Sequence, residues 1–170
     1  MITNDNLMYE ERVTSKRTEV LFIALTVLFF LLLIWRLNTT DSLDFLAVVF
    51  FCLFGVFLFY SVNYRTLIIR LTSTSLKLTF GIFTWTVPID NIEESRLDDI
   101  PVLMRMGGAG IHFMTIRKRY RASFNFLEYP RVVIAFKRKA GLVRDISFST
   151  RHPDDVLRCI RVVASTTRAT

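Results

Sequence analysis

Two unbroken apolar runs near the N-terminus constrain this chain more than any other feature. Val20 to Trp35 holds 16 uncharged residues, 13 of them Val, Leu, Ile or Phe. Carried past Arg36 to Leu37, the run makes a helix of about 27 Å at ~1.5 Å per residue, enough to cross a bilayer core. The second run, Phe45 to Val62, has 18 residues and no charge, again with 13 Val, Leu, Ile or Phe. At roughly −0.3 to −0.6 kcal/mol each, those side chains favour insertion by about 4 to 8 kcal/mol per span. Arg36 can snorkel, and Trp35, Tyr60 and Tyr64 suit the headgroup belts. A chain of 170 residues has too little other surface to enclose two such helices as soluble core. A cleaved signal peptide fits poorly, because the first run is long and no small-x-small site follows it.

Asn38 to Asp44 joins the runs in seven residues, so the spans form a hairpin with both ends on one side. Arg12, Lys16 and Arg17 precede the first span, and Arg65 and Arg70 follow the second. Arg36 alone borders the loop. The positive-inside rule then places both termini in the cytoplasm. The chain divides into a cytoplasmic N-terminal segment 1–18, spans at 19–37 and 45–63, an external loop 38–44 and a cytoplasmic domain 64–170. Asn38-Thr39-Thr40 matches a glycosylation sequon but is crowded against the membrane, and is read as chance. Cys52 and Cys159 have no neighbours at metal-ligand spacing and read as small apolar residues.

Beyond Tyr64 the pattern changes to short strands. Leu67–Leu71 is rich in β-branched residues, Leu76–Phe80 alternates, and Ile82–Val87 follows Gly81. Ile89–Leu97 comes after Pro88, and a loop spans Asp98 to Gly110. Arg121–Leu127, Arg131–Lys137 and Leu142–Phe148 are further strands, the last two joined by a turn at Lys139-Ala140-Gly141. Pro153-Asp154-Asp155 is a helix start, and Val156, Ile160 and Val163 recur at helical spacing. The expected order is therefore about seven strands and one C-terminal amphipathic helix, an α+β domain.

Several motifs in this domain are similar to those of bacterial pleckstrin-homology-like (PH-like) domains. They are Gly107-Gly108-Ala109-Gly110-Ile111-His112, Phe124-Asn125-Phe126, Val132-Val133-Ile134, Ile146-Ser147-Phe148-Ser149-Thr150 and Pro153-Asp154. Pro88-Ile89 through Ile92 resembles that family's Pro-Ile-x-x-Ile strand. Ala109 stands where the family usually has Trp, and His112 where it has Arg. The resemblance implies a bent antiparallel sheet or small barrel closed by the C-terminal helix, with two preceding spans in the inner membrane. It implies no particular activity.

Few residues carry chemistry. Gly107, Gly108 and Gly110 read as a tight inter-strand turn, since neither the dinucleotide pattern nor a Walker lysine is present. His112 and His152 lie forty residues apart in different elements, and no cofactor or metal is expected. Asp90, Glu93, Glu94, Asp98 and Asp99 form an acidic stretch, read as a solvated strand edge and loop. Arg117, Lys118, Arg119 and Arg121 form the densest basic cluster, with Arg131, Lys137, Arg138, Lys139 and Arg144 near it in sequence. From Arg65 onward the chain holds 18 basic and 9 acidic residues. One expectation is that the Arg117–Arg121 cluster contacts anionic lipid headgroups, each cation contributing about 1 kcal/mol. The other is a positive-inside domain with no dedicated ligand. Nucleic acid is not expected. The function read from these features is a non-enzymatic membrane protein presenting a binding or scaffolding domain, with self-association or a membrane-protein partner possible. The alternatives are an accessory subunit of a larger complex, with Phe50, Phe54, Gly55 and Phe57 facing partner helices, or an enzyme acting on lipid.

Overall fold

The computed structural model describes residues 6–40, 44–99 and 109–169. Its first element, β1 (Leu7–Thr14), precedes the apolar helices α1 (Lys16–Thr39) and α2 (Phe45–Asn63). Then come β2 (Thr66–Thr72), β3 (Ser75–Phe80), β4 (Phe83–Pro88), a 3₁₀ turn (Ile89–Asn91), β5 (Ile92–Leu97), β6 (Gly110–Ile116), β7 (Arg119–Asn125), β8 (Arg131–Ala140), β9 (Val143–Ser149) and α3 (Pro153–Ala169).

Both helices are long and apolar enough to cross a membrane, and only 17% and 11% of their most apolar windows are buried. A core helix of a soluble protein would be covered instead. Ser15 caps α1, its hydroxyl accepting from Thr18 N at 3.1 Å, and Asp44 caps α2 by accepting from Ala47 N at 3.0 Å. Arg36 pairs with Asp44, joining the end of α1 to the start of α2. Phe29 stacks on Phe57 at 5.3 Å and Phe30 meets Phe54 at 5.4 Å. Phe54 and Phe57 therefore hold the hairpin together, where the sequence reading offered them to a partner.

The strands form two sheets rather than one barrel, with orders β1-β2-β3-β4 and β5-β8-β9-β7-β6. The expected purely antiparallel arrangement is also corrected. Strand β9 lies between β8 and β7, so the β8–β9 hairpin turns back and β7 pairs with β9 in parallel. Leu67, Ile69, Leu76, Leu78 and Phe80 of the first sheet face Phe124, Ile134, Ile146 and Phe148 of the second in one core. Val156, Leu157, Ile160 and Val163 of α3 close it, as their spacing implied.

Strand β1 lies in the N-terminal segment 1–18, where the sequence reading placed no strand. It pairs with β2 from Leu7↔Thr72 to Thr14↔Thr66. The helical hairpin is thus inserted into a β-hairpin, between two residues that face each other. Period-two alternation is hidden in β1 because its inward positions are Glu11 and Val13. The Glu11 carboxylate accepts from the Thr150 hydroxyl and from Arg151 N at 2.8 Å, which satisfies it in its buried position. The Arg151 guanidinium and the Tyr129 hydroxyl both donate to the Thr14 carbonyl, at 3.1 and 2.9 Å. Burial, followed by the Glu11 carboxylate, pushes the Tyr9 phenol above its usual range.

One end of every strand gathers at the helices. Gly81, at φ 59°, lies so close to Asn63 that a Cβ would fall 2.3 Å from its carbonyl oxygen. Gly110, at φ 91°, starts β6 with the Tyr64 ring 3.2 Å from where a Cβ would stand. This is why both positions are glycine. The opposite ends are the turns at Ser73-Thr74, Arg117-Lys118 and Gly141-Leu142. The 3₁₀ turn is tied to the first of these by Ile89 N donating to Thr74 O at 2.9 Å, and to β8 by Asn91 bonding the Arg138 backbone at 2.8 and 3.0 Å. Six or seven strand residues separate the two ends, about 20 Å at ~3.3 Å per residue.

Candidate functional site

The basic cluster occupies the β6–β7 hairpin, and strand alternation divides it. Arg117 and Lys118 are the two central residues of the turn, at φ 50° and 65°. A type I′ two-residue turn has positive φ at both positions, which Asn-Gly supplies at little cost. A side chain with a Cβ costs about 1–2 kcal/mol there. Arg119 and Arg121 follow on the face of β7 turned away from the apolar core.

Arg121 is not a surface cation, which corrects its assignment to a lipid-contacting patch. It is 2% exposed and sits between Asp98 at 3.1 Å and Asp145 at 3.6 Å. The outer face of the second sheet is covered here, and a charge in such a place persists only when paired. Asp98 is buried with it, so the reading of that residue as solvated loop is corrected as well. Arg119 donates to Asp145 at 2.7 Å and approaches Glu93 at 3.7 Å. Arg117 donates to Asp99 at 2.9 Å, and that hydrogen bond holds the Asp99 carboxyl below its usual value. Ser123, Asn125, Arg131, Ser147 and Ser149 are buried on this covered face as well, beside the apolar Val133 and Ala135. Ser147 donates to Ser123 at 2.9 Å across the parallel pair.

His112 lies on β6 opposite Ser123. Burial, and then the Arg131 charge, lower its pKa by disfavouring the charged ring. Neither ring nitrogen has a hydrogen-bond partner among the described residues. His152 sits at the start of α3, where its carbonyl accepts from Val156 N at 3.1 Å. Among the described residues no three His, Cys, Asp or Glu side chains are grouped to hold a metal. Gly110 has a positive φ at the start of β6, while Gly107 and Gly108 lie outside the described residues.

Two clefts stand out. At the helix-distal end, a cleft of about 340 Å³ is lined by Glu93, Arg119, Phe136, Lys137, Lys139 and Arg144. Four of those six residues are cations, and they come from β7, β8 and β9, far apart in sequence. The sequence showed Lys137, Lys139 and Arg144 as basic neighbours, but only the pairing of β8 with β9 and of β9 with β7 brings them to Arg119. The second cleft, of about 320 Å³, lies at the helix-proximal end between the edge strands β4 and β6. Tyr64, Phe83, Trp85, Ile111, Phe113 and Phe124 line it. No family model, curated protein or solved structure matches the chain.

Proposed function

We propose that this chain is a non-enzymatic integral membrane protein whose two helices carry a cytoplasmic binding or scaffolding domain. The observation that carries the reading is the pairing of β1 with β2 across the inserted helices. It supports a short, stiff attachment in place of a flexible tether, with both ends of the hairpin on one side. The excess of Arg and Lys at those ends assigns that side to the cytoplasm. A domain held in this way presents its helix-distal end to the cytoplasm and its aromatic cleft near the membrane. The PH-like resemblance is compatible with such a module and adds no activity to it.

The aromatic cleft favours a second reading, in which the protein is an accessory subunit of a larger membrane complex. It lies between the edge strands β4 and β6, neither paired on that side among the described residues, a place where another chain can add a strand. Purification in mild detergent, with mass spectrometry of co-eluting proteins and lipids, tests both readings. Homo-oligomers or exchangeable partners support the module, and one stoichiometric partner supports the subunit. Turnover of co-purified lipid would overturn the non-enzymatic reading.

A further inference from the structure

We infer that the helix-distal cleft is a binding site for a phosphate-bearing anion, which deepens, and rests on, the reading of the domain as a binding module. Four cations from three strands converge on one concavity, while the single carboxylate there, Glu93, is already approached by Arg119 at 3.7 Å. Lys139 and Arg144 form no ion pair or side-chain hydrogen bond among the described residues, so their charge is left for a ligand. The adjoining turn gives a second, independent indication. Arg117 and Lys118 hold positive φ where Asn-Gly would relieve strain, and strain of this kind collects at functional positions. A volume of about 340 Å³ suits a small anion better than a peptide chain. Arg and Lys together supply forked and point-like donors, the usual pairing for phosphate oxygens.

The cleft's position distinguishes two sources of phosphate. It opens a strand's length from the helix ends, so headgroups of the protein's own membrane are remote, and the geometry points to a soluble phosphate ester or polyphosphate.

The test uses the full chain in nanodiscs of neutral phosphatidylcholine, titrated with inorganic pyrophosphate by calorimetry. Binding should be present, weaken steeply with salt, and fall by roughly tenfold or more in Lys139→Gln/Arg144→Gln, which removes two charge-assisted contacts. Lys77→Gln/Arg158→Gln removes the same net charge elsewhere and should bind as the parent does. Equal binding by the two double variants, or no binding by the parent, overturns the inference. In a parallel arm, phosphatidylglycerol vesicles are added as a separate membrane. Flotation that depends on Lys139 and Arg144, with no pyrophosphate binding, would overturn the soluble source. Loss of pyrophosphate binding in a variant that still co-purifies with its protein partners separates this site from the module reading itself.

Discussion

Arg121 illustrates how a cation that looks superficial in sequence becomes structural. Its neighbours Asp98 and Asp145 lie 23 and 24 residues away in the chain, and only sheet pairing brings all three together. Arg121→Met would remove the buried guanidinium that both Asp98 and Asp145 face. It should cost about 3–5 kcal/mol in chemical denaturation, and less in an Asp98→Asn background. The turn should respond in the opposite direction. Arg117→Asn/Lys118→Gly relieves two positive-φ side chains and should raise stability by about 1–2 kcal/mol, set against loss of the Arg117–Asp99 pair, which is exposed and contributes little. His112 supplies a pH dependence. Its pKa in the folded protein lies below 6.5 because burial disfavours the imidazolium. Between that value and 6.5 the unfolded chain binds more protons than the native one, so stability falls as pH drops through this window. Thermal unfolding from pH 7.5 to 5 should show the decline, and His112→Gln should flatten it.

At the scale of elements, β1 decides what counts as the domain. A fragment of residues 65–170 lacks the strand that covers the β2 edge and brings Val13 into the core. It also leaves Thr150 and Arg151 without Glu11. That fragment should be poorly folded or aggregate through the bare edge of β2. Thr14 and Thr66 are paired, so residues 6–14 joined by Asn-Gly to 66–170 should restore a soluble, cooperatively unfolding domain in which a two-residue turn replaces both helices. Circular dichroism and thermal melts of the two proteins check this. Equal stability would mean that β1 contributes nothing.

At the scale of the whole molecule, the register of β1 on β2 requires that residues 7–14 and 66–72 share one side of any membrane that α1 and α2 cross. Reporters fused before Met1 and after Thr170 should both read cytoplasmic, and one at Thr40 should read the opposite side. Opposite signals from the two termini would be incompatible with the sheet. The same architecture bears on the basic cluster. Arg117, Lys118 and Arg119 stand at the end of β6 and β7 away from Tyr64, so replacing them by Gln should leave the protein's association with its own membrane unchanged in flotation assays.

What the sequence determined by itself was whatever depends on local pattern. Apolar runs of bilayer length mark α1 and α2, Pro153 with its two aspartates and the Val156-Ile160-Val163 spacing mark α3, and alternation marks β3. These signals lie within one element, because burial against solvent or lipid is imposed residue by residue. Tertiary structure decided the rest. Strand β1 was illegible because its inward Glu11 is satisfied by hydrogen bonds from Thr150 and Arg151, about 140 positions later. The split into two sheets and the parallel β7–β9 pair follow from where β9 inserts, which no strand encodes alone. The division of one basic cluster into a buried Arg121 and a cleft-lining Arg119 follows likewise, since a charge is paid for by partners from other strands. Pairing between distant segments chose those partners, and with them the site.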